Sequence, residues 1–264
     1  MSTRVLIDGD LVAFRCAASC LQKGQLVEPV DVAQMRVNDL MYRIVQETEA
    51  TSYSAYIGGT NNFRKALYPE YKANRKDKPL PEWLEPCREQ LVVEWQAQIV
   101  NGMETDDRLG MEQYGSFTNP LRNGGENTVI ASIDKDLLMI PGRHYNFVKQ
   151  EFYNVSEIDG IRHFWFQMIM GDRSDNIPGY DGIMRVSVPK FLLPQVTALQ
   201  GMDNEEEMEA FVRGMYIEEG NEEQFEINKK LIWICRSWDD LPISNIPEEP
   251  PGFDEEDFDY FGGN

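Results

Sequence analysis

The chain has 264 residues, 42% of them hydrophobic, which is enough to bury a sizeable core in one large domain, or one domain with an appendage, without staples. No stretch approaches the roughly 18 uninterrupted apolar residues of a membrane span, and no signal-peptide pattern opens the chain; Cys16, Cys20, Cys87 and Cys235 contain no Cys-x-x-Cys pair, and only His144 and His163 could assist them, so a zinc site is disfavoured and free thiols in the cytoplasm are expected. The net charge of −20 argues at face value against nucleic acid, which normally meets a basic surface.

That charge is unevenly spread. Residues 239–264 hold nine acids and no base, and 203–226 hold ten acids and only Arg213. Residues 61–78, by contrast, carry Arg64, Lys65, Lys72, Arg75, Lys76 and Lys78 against Glu70 and Asp77. One stretch is therefore locally basic.

In chain order, Arg4-Val5-Leu6-Ile7 is an apolar run closed by Asp8-Gly9-Asp10, a buried strand with acids at its C-terminal end. Residues 11–20 open a helix, 31–47 place Val32, Met35, Leu40, Ile44 and Val45 near helical spacing, and 52–57 form a strand running into Gly58-Gly59. Residues 60–90 are aromatic, basic and proline-punctuated, an excursion from the core. After Gly102, Glu104-Thr105-Asp106-Asp107 fall in a first helical turn, where acids suit the helix dipole. Residues 115–127 are loop-like, 128–133 are the clearest buried strand, ending at Asp134-Lys135-Asp136, and 145–155 make a further strand or hairpin. The apolar run His163–Met170 then meets Asp172 and Asp175 before the Pro178-Gly179 turn. The pattern is helical to about 236, and the end beyond 244 has a disordered composition.

Alternating strands and helices predict an α/β fold with a mainly parallel central sheet flanked by helices on both faces. The expected divisions are a core over 1–160, including the 60–90 excursion, a helical region over 161–238, and an acidic tail over 239–264. In such a sheet, groups at the C-terminal ends of strands meet in one crevice. Asp8, Asp10, Glu104, Asp106, Asp107, Asp134, Asp136, Asp172 and Asp175 are the candidates for it. Their mutual repulsion calls for divalent cations, and oxygen-only ligation selects Mg²⁺ or Mn²⁺. Two such ions would suit phosphodiester cleavage.

Asp8 at the end of strand one, FRKALYPEYKANR at 63–75, ETDD at 104–107, SIDKDLL at 132–138 and GDRSDNIPGYDGI at 171–183 together resemble the 5′-nuclease family. That family comprises flap endonucleases, the 5′-3′ exonuclease domains of bacterial DNA polymerases and stand-alone bacteriophage exonucleases, the last being most similar. The resemblance implies a PIN-like three-layer fold with a helical arch over the excursion and a helix-three-turn-helix at 176–192. It implies a monomeric, metal-dependent nuclease acting on DNA 5′ ends or flaps in replication, repair or genome processing. Asp8, Glu104, Asp106 and Asp107 would hold one Mg²⁺, with Mn²⁺ as a substitute, and Asp134, Asp136, Asp172 and Asp175 would place the second. Lys72 and Arg75 would contact the scissile phosphate, Tyr71 would stack on an unpaired base, and Arg64, Lys65 and Lys76 would line the arch. Gly182, Ser187 and Lys190 would grip the duplex around a K⁺ ion.

Two departures from the family pattern stand out. Ile57-Gly58-Gly59-Thr60 lacks the Asp usual after the second strand, for which Asp10 is the proposed substitute, and Met184 replaces a glycine in the duplex-binding turn, where its Cβ would weaken the grip. A haloacid-dehalogenase-like phosphatase, built on Asp8-Gly9-Asp10, and a catalytically impaired flap-binding module are the alternatives. The tail, with Phe253, Phe258, Tyr260 and Phe261 among acids, has the composition of a docking peptide for a replication partner or of a DNA mimic.

Overall fold

The computed structural model describes residues 2–76, 78–119 and 127–242. The apolar run at the start is β1 (Thr3–Asp8), followed at once by α1 (Gly9–Ser19), the small antiparallel pair β2 (Leu21–Gln22) and β3 (Gln25–Leu26), and α2 (Val30–Glu47). Next come β4 (Ser52–Gly58), α3 (Phe63–Leu67), α4 (Leu84–Trp95), β5 (Gln98–Val100) and α5 (Thr105–Thr118). β6 (Asn127–Ala131), β7 (Gly142–Asn146) and β8 (Glu151–Val155) complete the strands, and α6 (Glu157–Met170), α7 (Leu193–Gln200), α8 (Glu205–Glu218) and α9 (Glu222–Ile232) complete the helices. The main sheet has the order β5-β4-β1-β6-β7-β8 and is parallel except for the β7–β8 hairpin.

β1 is central and buried on both faces, which explains its unbroken Val5-Leu6-Ile7. Successive side chains of a strand point to opposite faces. Val5 and Ile7 accordingly pack with Ala55, Ile57 and Val129 against Val12 of α1, Met41 of α2 and Leu91 of α4. Leu6, with Tyr56 and Ile130, packs on the other face against Leu109 of α5 and on toward α6, α8 and α9. At about 1.5–3 kcal/mol per fully buried Val, Leu or Ile, these two layers supply the drive that sets the register. The four cysteines are buried free thiols. No helix among the described residues is long and apolar enough to cross a membrane.

The expected boundary at 160 falls inside α6. Phe164, Trp165 and Met168 of that helix share one core cluster with Leu6 and Ile130, so packing is continuous from the sheet into the C-terminal helices.

The 60–90 excursion does not form a helical arch among the described residues. Between α3 and α4 its helical content is one 3₁₀ turn, Ala73–Arg75. Pro69, Pro79 and Pro81 deny a helix the N–H groups it needs. The segment is instead stitched onto the turn after α6. The Lys72 N–H donates to the Asp175 carbonyl (2.9 Å), Asn74 Nδ2 to the Arg173 carbonyl (2.8 Å), and Asn176 Nδ2 to the Glu70 carbonyl (2.8 Å).

Residues 176–192 are the turns between α6 and α7, ending in the 3₁₀ turn Lys190–Leu192. They begin from Gly171, whose φ of +68° is left-handed and whose Cα approaches Gly179 so closely that a Cβ would sit 2.4 Å from its nitrogen. Gly182 is also left-handed, at φ +80°, and exposed, whereas Met184 is not in that region. The expected backbone penalty at Met184 is therefore absent, because its conformation is one any residue adopts.

Candidate active site

Asp8 ends β1 and caps α1, its Oδ1 accepting from the Leu11 N–H (3.2 Å) and its Oδ2 from the Ser132 hydroxyl (2.7 Å) just beyond β6. Glu104 is the N-cap of α5, and Asp106 lies in its first turn. Asp134 follows β6, its Oδ1 accepting from the Asp136 N–H (2.9 Å), and Asp136 opens the 3₁₀ turn Asp136–Met139 with Gln167 of α6 donating to it. Asp172 folds its own turn, accepting from the Ser174 N–H and hydroxyl (both 2.6 Å) and the Asp175 N–H (3.1 Å). Glu104, Asp106, Asp136, Asp172 and Asp175 line one cavity of about 30 Å³, room for a small ion or a water.

The electrostatics of these groups are those of crowded anions. Burial, then the charges of Asp10 and Asp134, push the Asp8 carboxyl up to about 7 against the Ser132 and Leu11 hydrogen bonds. Burial, then Asp134, Asp8 and Glu104, hold Asp106 well above the usual carboxylate range, and burial with Asp134 and Asp172 lifts Asp136 to about 8. Burial also raises Asp175 despite Lys72. For Glu104, burial is outweighed by Lys72 and Arg64, and the carboxyl falls below its usual range.

Among the described residues no three His, Cys, Asp or Glu side chains stand close enough to enclose an ion as they are. Their rotamers are held by protein donors: Ser132 on Asp8, Gln167 on Asp136, Ser174 on Asp172, and Asn62 on Glu104 (2.8 Å). The donor set is nonetheless all oxygen, and several of its carboxyls are driven toward the neutral form by one another. Such a set fits a hard divalent cation, which relieves that repulsion.

A cationic lip closes the site. Lys72 Nζ donates to Glu104 Oε1 and lies 3.5 Å from Asp175 Oδ2, while Arg75 pairs with Asp175 and donates Nε to the Ser174 carbonyl (3.0 Å). Burial disfavours the Lys72 ammonium, but Glu104 and Asp175 outweigh it and raise its pKa. Lys65 and Lys76 are exposed nearby in sequence, and Ser187 and Lys190 are exposed in the turns before α7.

Four expected site residues sit elsewhere or do something else. Asp107 is fully buried and pairs through both oxygens with Arg64 (Oδ2 to Nη1 2.5 Å, Oδ1 to Nη2 2.8 Å), while also accepting from the Cys235 N–H (2.9 Å) and the Glu104 N–H (3.0 Å). Its lone pairs are thus spent on a structural pair rather than on an ion. Burial opposes its ionisation, but the Arg64 charge and these hydrogen bonds hold it below its usual range. Arg64, equally buried, also donates to the Leu231 (2.8 Å) and Trp233 (2.6 Å) carbonyls, so it cannot line a nucleic-acid path.

Tyr71 is buried at 3% exposure, so no base can stack on it. Its hydroxyl lies 2.9 Å from Glu104 Oε2 and 2.8 Å from Asp175 Oδ2 and shares its proton between these carboxylates. Asp10 is a helical residue of α1 rather than part of an extended strand, so the two-residue alternation that would align it with Asp8 does not apply. It pairs with Arg88 and accepts from the Gly58 N–H (2.8 Å) and the Thr105 hydroxyl (2.7 Å). Arg88 also donates to the Gly58 carbonyl, which ties α4 to the end of β4.

Sequence reasoning missed Ser132, Gln167, Asn62 and Arg88. Gln167 had a signal, as the lone polar residue within Phe164–Met170, and Ser132 stood two residues before Asp134. Asn62 and Arg88 had none.

Comparison with known proteins gives DNA polymerase I of Caldicellulosiruptor bescii at 26% identity over 263 residues, covering 91% of this chain but 29% of the polymerase. DNA polymerase I of Borreliella burgdorferi is 35% identical over 141 residues, 46% of this chain and 14% of that protein. The chain thus spans less than a third of either polymerase. The 5′-3′ exonuclease of Bacillus subtilis is 24% identical, with 76% of this chain and 73% of that protein covered. Among solved structures, the bacteriophage T5 flap endonuclease, determined as a pseudo-enzyme–product complex with DNA and metal ions, shares the fold with a TM-score of 0.64 at 16% identity, covering 87% of this chain and 88% of its own. Residues 3–163 match the family model described as 5′-3′ exonuclease, N-terminal resolvase-like domain, and the chain therefore belongs to the 5′-3′ exonuclease family.

Proposed function

We propose that the chain is a divalent-metal-dependent 5′-3′ exonuclease and 5′ flap endonuclease of DNA. The observation that carries this reading is Lys72, whose ammonium bridges Glu104 and Asp175 at the mouth of the carboxylate cavity. Asp8, Glu104 and Asp106 would hold one Mg²⁺ and Asp134, Asp136, Asp172 and Asp175 the second, with Mn²⁺ as a substitute. When bound, such ions supply an activated water and neutralise charge on the leaving oxygen. Lys72 and Arg75 bind the non-bridging oxygens of the scissile phosphate, and Asp175 holds both cations over the cavity. The Tyr71 hydroxyl keeps Glu104 and Asp175 oriented. The turns around Gly182, Ser187 and Lys190 bind duplex backbone, and a K⁺ ion there is part of the same reading. A replication partner for 245–264 falls outside the described residues.

End-labelled duplex, 5′-flap and single-stranded DNA, each with and without Mg²⁺, test the reading. Release of 5′-terminal products only with the ion supports it; binding without cleavage in both Mg²⁺ and Mn²⁺ would leave the impaired flap-binding module. The phosphatase alternative is disfavoured by Asp10, which Arg88, Gly58 and Thr105 occupy. Asp10→Asn is expected to leave the Mg²⁺ dependence of cleavage unchanged while lowering stability by about 1–2 kcal/mol, as read from urea unfolding and an Mg²⁺ titration. A rightward shift of that titration would return Asp10 to the ligand set.

Removing the metal should change stability with a definite sign. Asp8 and Asp136, raised to about 7 and about 8, hold protons in the folded chain that the unfolded chain releases near pH 4. Metal-free stability from these groups therefore falls as pH rises from about 4 to 8. Mg²⁺ near a hundredfold above its Kd should raise Tm by about 5–10 °C at pH 8, and by less at pH 5. Thermal scans with EDTA or Mg²⁺ at both pH values check this, and equal gains would contradict it.

A further inference from the structure

We propose that Arg173 is a further substrate-binding residue, its guanidinium taking a phosphate next to the scissile one, a role that rests on the nuclease reading of the cavity. The chain carries a net charge of −20, so its grip on a polyanion depends on the cations left free beside the site. Most of those nearby are spent. Arg64 is paired with Asp107, Lys72 with Glu104, Arg75 with Asp175, Arg88 with Asp10 and Arg185 with Asp181.

Arg173 differs. It is exposed, and its guanidinium makes no hydrogen bond or ion pair among the described residues. The reason is local, because the acids nearest to it in the chain are already engaged. Asp172 is 7% exposed, and its Oδ1 accepts from the Ser174 N–H and hydroxyl and from the Asp175 N–H. Asp175 takes Arg75 and the Tyr71 hydroxyl, with Lys72 Nζ at 3.5 Å. Between two satisfied carboxylates the guanidinium keeps its whole fork of donors, the geometry that suits phosphate oxygens.

The backbone of Arg173, by contrast, is fixed. Asp172 and Ile177 exchange N–H and carbonyl bonds of 2.8 Å each, which closes the turn, and the Arg173 carbonyl accepts from Asn74 Nδ2 (2.8 Å). Arg75 Nε donates to the next carbonyl, that of Ser174 (3.0 Å). Arg173 is therefore rooted one residue from the cavity-lining Asp172 and beside the 3₁₀ turn that presents Arg75. With Lys72 and Arg75 on the scissile phosphate, the neighbouring phosphate falls to Arg173. A side chain whose root is already ordered loses less entropy on binding.

DNA affinity measured against salt in Ca²⁺, with cleavage blocked, tests the contact. On a 5′-flap substrate, Arg173→Gln should weaken binding about tenfold and flatten the slope of log affinity against log salt by about 1. Arg173→Lys should restore most of the slope, whereas Lys23→Gln, which removes a charge beyond the other end of α1, should change neither. In Mg²⁺ the single-turnover rate at saturating DNA should fall less than the affinity does. Neutral methylphosphonates at each phosphate flanking the scissile one locate the partner: at one of them the Arg173→Gln penalty should vanish, as it does for groups in contact. Penalties that add at both positions, a salt slope equal to the parent's, or a loss confined to the saturated rate would each overturn the assignment. A parent chain that binds flap DNA but cleaves it in neither Mg²⁺ nor Mn²⁺ would sink the nuclease reading instead, and the salt slope would still decide the contact.

Discussion

Replacing Lys72 by alanine is expected to lower single-turnover cleavage by about 10²–10³-fold, the usual loss when one preorganised donor to a developing anion is removed. The Lys72 ammonium is poised for this, because Glu104 and Asp175 outweigh its burial and favour the protonated form. Its removal also frees two carboxylates, so substrate affinity must be measured separately. In Ca²⁺, with cleavage blocked, DNA affinity should change much less than the rate. A loss confined to affinity would make Lys72 a backbone contact and move the chemical role to Arg75.

Replacing Arg64 by methionine is expected to destabilise the fold by about 3–5 kcal/mol, because it leaves Asp107 charged, buried and unpaired. The guanidinium also ties α3 to the Leu231 and Trp233 carbonyls, so its loss opens the seam between the excursion and the segment after α9. A second substitution, Asp107→Asn, should recover part of the loss by removing the orphaned charge. The deficit has a pH signature as well. Asp107 is depressed in the folded chain, so the stability it contributes is present above about pH 4 and is lost as pH falls through its lowered value. The gap between parent and Arg64→Met in urea unfolding should therefore narrow in acid. A substitution costing under about 1 kcal/mol would show the pair to be incidental.

The two cases mark where sequence patterning succeeds and where it stops. The α/β alternation was legible because strand and helix periods are local, and the unbroken Val5-Leu6-Ile7 marked a strand buried on both faces. The gathering of Asp8, Glu104 and Asp134 beyond the ends of β1, β5 and β6 was legible because parallel strands aim their C-terminal ends the same way. The roles of Asp106 and Asp107 were not separable in the sequence. They are adjacent on α5, so their side chains diverge by about 100°, and only one can face the crevice. The excursion likewise read as basic and aromatic, yet Arg64 and Tyr71 are buried while Lys72 and Arg75 reach the mouth of the cavity.

By itself the sequence determined the layered α/β class, the order of its carboxylate motifs and the presence of a basic excursion, because each depends on neighbours a few residues apart. Only the tertiary structure decided which acids face the cavity, that Arg88 occupies the space beside Gly58, and that Arg64 is spent on Asp107. Those outcomes rest on pairings across 30 to 167 residues of chain, such as Arg88 with Gly58 and Arg64 with Asp107 and Leu231, which no local period encodes. A buried charge must find its partner wherever packing brings one, and that partner is fixed by the fold as a whole.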